Sequence, residues 1–169
     1  MGRGADMPED SGAPKNAEVA KRRYTTKQMA DACEMLVAAE LTLAGVPALK
    51  VADNWPDYDV IAQPRGDQPQ RVSVKSRTYT IGQSFIEYDT RQRFEWLALV
   101  LLRCEGPRPR RIFIIPRDVA ESRARKNAPT TKSFNMRYWR VDEVSTKFAE
   151  FEDNFTLQLS LAKHAQKTG

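Results

Sequence analysis

The sequence predicts an α/β sandwich with a mixed sheet. Two observations carry that prediction. One long segment places Met29, Cys33, Leu36, Val37, Leu41 and Ala44 on one helical face, and it precedes every strand-like run. After it come short alternating segments and two wholly apolar runs, then a charged segment of helical character. The resulting order of helix, three strands, strand, strand and helix points to an α/β sandwich with a mixed sheet. At 169 residues, one domain with a real core is the expected size.

Each element has local reasons. Thr25 or Thr26 can cap the first helix, which runs to about Ala44 and stops at Gly45. "PALKV" reads as a short strand, "DNWPD" as a turn and "YDVIAQ" as an alternating strand. "PRGDQPQ" is a turn-rich connection that leads into "RVSVKSR", a strand expected to pair back on the one before it. "FEWLALVLLRC" is apolar on both faces, as a central strand requires, and Trp96 belongs to its buried part. "RIFIIP" is a second buried strand, ended by proline. "RDVAESRARK" begins a helix and "NAPTTKSFNMR" reads as an exposed loop. "YWRVDEV" is a short strand or turn, after which Asp142 can cap a helix reaching about Phe151. Residues 1–23, rich in Gly, Pro, Asp and Ser, read as a disordered tail; the single domain is expected over 24–162, with a second tail at 163–169.

Composition narrows the chemistry. Cys33 and Cys104 are far apart in apolar surroundings, so they read as reduced thiols rather than a disulfide or a zinc site. The single histidine, His164, lies in the C-terminal tail, which leaves mechanisms built on an internal histidine without their base. If the chain is an enzyme, its chemistry rests on carboxylates, lysine, hydroxyls and a hard metal. No apolar run has transmembrane length and no signal peptide is evident, so a cytoplasmic protein is expected. Between Arg103 and Lys126, eight basic residues face three acidic ones, and this excess equals the +5 of the whole chain. A basic segment on a neutral body points to a polyanion partner.

Lys75 is the residue that asks for explanation, because lysine rarely occupies a strand about to enter a core. Alternation along its strand puts Val72, Val74 and Ser76 on one face and Ser73, Lys75 and Arg77 on the other. Pairing with the preceding strand brings Asp59 near Ser73 and Lys75. A carboxylate beside a lysine at a sheet end can hold Mg²⁺ and orient a water.

The ordered set "ACEMLVAAELTLAGVPALKV", "PDYDVIA" and "RVSVKSR" resembles the PD-(D/E)XK nuclease superfamily, nearest to its small Holliday-junction-resolvase-like members. The resemblance covers about Thr25 to Val119, including "WLALVLL" and "IFIIPRDV". It implies a restriction-endonuclease-like three-layer sandwich, a mixed central sheet flanked by helices. It implies also a metal-dependent deoxyribonuclease using Mg²⁺ or Mn²⁺. Glu34, eleven residues before Gly45, matches the family's helix glutamate; Asp59 matches the first metal ligand; Lys75 matches the catalytic lysine. The metal would be held by Asp59, Glu34 and the carbonyl of Val74. Small nucleases of this kind often pair to reach two strands, so a homodimer fits the resemblance.

One position departs from the family. Two residues before the lysine the family carries an acid or glutamine, and this chain has Ser73, a poor Mg²⁺ ligand beside a carboxylate. Glu87 or Asp89 could supply a displaced carboxylate, and Asp57 is a second choice for the first ligand. If none does, the chain is a catalytically inactive nuclease-fold protein that binds nucleic acid or a protein partner. Arg77, Arg91, Arg93, Arg108, Arg110 and Arg111 are the candidate contacts to a nucleic-acid backbone, with Ser76 and Thr78 beside the lysine. Trp55, Tyr58, Tyr79 and Tyr88 lie near the same strand ends, where aromatics either pack or stack on bases.

Overall fold

A computed structural model describes residues 23–82 and 84–159. Nearly all of the expected N-terminal tail, the tail at 163–169 and His164 lie outside the described residues.

Helix α1 (Thr26–Leu43) starts where the hydroxyl chemistry demands. The Thr25 hydroxyl accepts the Gln28 N–H at 3.1 Å, and the Gln28 side chain accepts the Thr25 N–H at 2.9 Å. Gly45 ends the helix at φ 91°, a conformation glycine takes without strain, and Val46 then bonds back to Leu41. Met29, Cys33, Val37, Ala38 and Leu41 form the buried face.

That face lies on a five-stranded sheet in the order β1-β2-β3-β5-β6. The strands are β1 (Ala48–Lys50), β2 (Val60–Ala62), β3 (Gln70–Thr78), β5 (Trp96–Leu102) and β6 (Arg110–Pro116). β3 runs parallel to β5 and every other neighbour is antiparallel, so the sheet is mixed as expected. β5 is buried on both sides. Trp96, Ala98 and Val100 pack toward α1, whereas Leu97, Leu99 and Leu101 fill a second core.

The layer over that second core adds strands to the expected sandwich. A three-stranded sheet, β4 (Phe85–Asp89), β8 (Met136–Arg140) and β7 (Arg125–Lys126), covers it. Tyr88 of β4 is buried and stacked on Trp139 at 5.9 Å, with the Phe148 ring edge-on to Trp139 at 5.5 Å. "FIEYD" carries little strand signal because only Ile86 and Tyr88 of its five residues are buried, and they face a layer that other segments complete. The helix after β6 is shorter than expected. α2 (Arg117–Ser122) stops before Arg125 and Lys126, which join the second sheet. Asp142 caps nothing; its carboxylate instead accepts from Arg140 and from the Gly82 N–H. The last helix, α3 (Val144–Lys147), is one turn, followed by a 3₁₀ turn at Ala149–Phe151. No described helix is long and apolar enough to cross a membrane.

Candidate active site

The site forms where β2 parts from β3. The two strands pair over three positions only, ending at Val60 opposite Val72, while β3 continues to Thr78. The turn before β2 is tight: Asp57 sits at φ 75° and the Tyr58 N–H bonds to the Pro56 carbonyl. Asp59 is still tied to the strand, its N–H donating to Val72 at 3.0 Å. Past this point β2 no longer covers the inner edge of β3. The Val74 N–H donates instead to the Asp59 carboxylate, at 2.6 Å.

Two further donors approach the same oxygen. The Ser73 hydroxyl lies 3.3 Å from Asp59 Oδ2, and Lys75 Nζ lies 4.0 Å from it. Ser73 is fully buried; Lys75 and Asp59 keep about a quarter of their side chains exposed. Within a strand the N–H and C=O of one residue point to the same side, so the Val74 carbonyl also faces this open edge. The fork therefore brings Asp59, Ser73, Val74 and Lys75 together.

Glu34, in the third turn of α1, lines a cavity of about 140 Å³ that Asp59 also lines. Its carboxylate bonds Lys50 Nζ at 2.8 Å. Lys50 ends β1 and contacts Asp53 at 2.6 Å and Asp31 at 3.7 Å as well. Burial pushes the Glu34 carboxyl above its ordinary range; the Lys50 bond opposes that, and the charge of Asp59 adds to it. Asp53 is held down, to about 2, by its bonds to Lys27 and Lys50. Lys50 is raised by Asp53 and Glu34. Glu34 and Asp59 thus put two carboxylates on one cavity, oxygen donors of the kind a hard divalent cation takes; the carboxylate oxygens that lie within 4.8 Å of one another are those of Asp31, Glu34 and Asp53.

Sequence reasoning did not single out Asp31, Lys50 or Asp53. A signal was present for Asp31, which stands three residues before Glu34 on one helical face. Lys50 and Asp53 gather there only because the β1–β2 hairpin folds under the helix. The displaced-carboxylate candidates fall elsewhere: Glu87 and Asp89 lie on β4 in the second sheet, neither lines the cavity, and Asp89 is bound by Arg91. Asp57 is not among the cavity's lining residues either.

Of the candidate nucleic-acid contacts, four are engaged within the fold. Arg77 donates to the Phe85 and Ser76 carbonyls, Arg91 to Asp89, Arg108 to Glu152 and Asp153, and Arg111 to Glu152 and Ser145. Arg93 and Arg110 are exposed. The excess charge between Arg103 and Lys126 is thus met in space by carboxylates from outside that segment, including Glu143 on Arg125 and Glu150 on Arg123. A charge sum along the chain omits partners brought by the fold. Among the four aromatics, Trp55 is exposed on the cavity rim, Tyr58 packs edge-on against it at 6.3 Å, and Tyr88 is core.

No family model matches the chain, and no curated protein matches it. Among solved structures, the chain is similar to a bacterial homing endonuclease at 21% identity and a TM-score of 0.46, covering 67% of this chain and 86% of that one. It is also similar to a Holliday junction resolvase from the archaeal hyperthermophile Archaeoglobus fulgidus, at 17% identity and a TM-score of 0.42, covering 67% of this chain and 88% of that one.

Proposed function

We propose that the chain is a metal-dependent nuclease that hydrolyses DNA phosphodiester bonds at the β2–β3 fork, in the cytoplasm. The observation that carries this reading is the convergence of the Val74 N–H at 2.6 Å and Lys75 Nζ at 4.0 Å on one Asp59 oxygen, with Glu34 on the same cavity. The motif order Glu34, Asp59, Lys75 resembling PD-(D/E)XK nucleases supports it further.

In this reading Asp59, Glu34 and the Val74 carbonyl would hold Mg²⁺ or Mn²⁺. The bound ion would supply Lewis-acid polarisation of the phosphoryl oxygens and a lowered water pKa. Lys75 orients the attacking water and stabilises the negative charge that grows on the phosphorus oxygens. Ser73 replaces the family's third acid with a hydroxyl donor, so it holds the Asp59 carboxylate in place and adds no negative charge. Val74 fixes Asp59 from the main chain, which frees Lys75 to turn toward substrate.

A second reading, a non-catalytic binder on the same scaffold, is favoured by the Glu34–Lys50 bond and by Ser73, both of which weaken the donor set. Cleavage of labelled duplex, branched and single-stranded DNA by wild type and Lys75→Ala, with Mg²⁺, Mn²⁺ or EDTA, separates the two. Metal-dependent cutting that Lys75→Ala abolishes is the expected result. No cutting of any substrate, with salt-sensitive binding retained, would replace the nuclease by the binder.

A further inference from the structure

We infer that the Lys50 ammonium is a resident cation that sets the capacity of this pocket at one divalent ion, held on the Asp59 side. The inference rests on the metal-dependent reading above and concerns how many ions that site takes. Asp31, Glu34 and Asp53 offer carboxylate oxygens that all lie within 4.8 Å of one another, a spacing at which three anions need a cation among them. Lys50 supplies it. Its Nζ is 2.8 Å from Glu34, 2.6 Å from Asp53 and 3.7 Å from Asp31, and only about a fifth of its side chain is exposed.

The outer lysine cannot take this role. Lys27 pairs with Asp31 and Asp53 at the outer side of the trio, and two thirds of its side chain is exposed. Lys50 is the group that meets Glu34, the one member of the trio assigned above as a ligand. A divalent ion placed among the trio would meet an ammonium already bonded to the oxygens it needs. Like charges at such close range are strongly unfavourable. Because Lys50 is fixed at the end of β1, beside its partners, it competes at an effective concentration that a free ion cannot match.

Asp59 would then hold a single ion, which would supply the Lewis-acid polarisation. Lys75 Nζ, 4.0 Å from Asp59, would orient the attacking water, and the leaving oxygen would take its proton from solvent. Glu34 keeps one oxygen for Lys50 and offers the other across the cavity.

The test is the stoichiometry of Mn²⁺ uptake by the full chain, read by calorimetry and by loss of the free-ion electron paramagnetic resonance signal. Wild type and Lys50→Arg are expected to take one ion, and Lys50→Met two. If Lys50→Met alone fails to fold, Lys50→Gln, which keeps a neutral hydrogen-bond donor for the three carboxylates, replaces it and the same stoichiometries decide. Two ions in wild type, or equal uptake by wild type and the charge-free variant at one ion each, would overturn the inference and leave the nuclease reading standing. An ion bound only after Lys50 is removed would overturn the capacity of one. No uptake by any of the proteins would remove the metal-dependent reading itself.

Discussion

Val74 donates its backbone N–H to the carboxylate of Asp59 at 2.6 Å, fifteen residues away in the chain and one step beyond the last β2–β3 pair. The acid is thereby held by main chain, which no substitution at Val74 short of proline removes. Ser73 and Lys75, on the opposite face of the same strand, reach that acid through their side chains.

Asp59→Asn is expected to keep the fold and lose the chemistry. The amide oxygen still accepts from Val74, but the negative charge is gone. Cleavage should fall by more than about 100-fold, past the range seen when outer partners of a metal ligand are removed. Asp59→Ala should in addition cost about 1 kcal/mol by leaving the Val74 N–H without its acceptor. Urea unfolding of both variants beside cleavage rates checks this; equal stability losses for Asn and Ala would contradict the role given to the bond.

Ser73→Asp restores an acid where the resemblance expects one. Ser73 is fully buried beside Asp59, so the new carboxylate should lower the melting temperature in EDTA. Added Mg²⁺ should raise it again, by more than it raises wild type, because an ion that binds only the folded chain stabilises it by mass action. Thermal melts of both proteins in EDTA and in Mg²⁺ give the answer; equal metal-induced shifts would argue against an ion at this edge.

Free and engaged arginines should behave differently. Arg93→Ala or Arg110→Ala should lower the slope of log affinity against log salt by about 0.9 for each phosphate the side chain neutralises. Arg111 is bonded to Glu152 and Ser145, so Arg111→Ala should reduce stability and leave the slope unchanged. Fluorescence titrations of labelled DNA at several salt concentrations distinguish them.

The Arg111–Glu152 pair predicts part of the acid limb of stability. Arg111 holds the Glu152 carboxyl below its ordinary 4.5, so the folded chain binds that proton less tightly than the unfolded chain. The contribution is complete above about pH 4.5 and is lost as pH falls through the lower folded value. Glu152→Gln should therefore cost about 1–2 kcal/mol at pH 7 and flatten the loss of stability below pH 4.5. Denaturation midpoints between pH 3 and 7 test the slope.

Much of this architecture was legible because its signals are local. The Thr25 cap, the Gly45 stop and the two-sided burial of β5 follow from neighbouring residues, and the alternation of "RVSVKSR" aimed Ser73 and Lys75 at Asp59. What stayed hidden depends on distant partners. β4 is recognisable only once β8 and Trp139 cover it. Lys50 lies within "PALKV", which reads only as a short strand, and its partners Asp31, Glu34 and Asp53 come from the helix and the following turn. The arginines read as a free basic segment because Glu143, Glu150, Glu152 and Asp153 come from the far end of the domain.

The two halves of the fork are anchored very unequally. Lys75 lies opposite Leu99 in a parallel register of seven residues, inside the most deeply buried part of the sheet, whereas Asp59 precedes a strand of three residues near the edge. Amide hydrogen exchange should separate them. The β3–β5 amides should exchange only through global unfolding, and those of Val51 and Asp59 through a smaller local opening. The lysine side thus behaves as a fixed template and the acid side as a leaf that can lift. An ion or a substrate that bridges the two should slow exchange at Val51 and Asp59 and leave β3 almost unchanged.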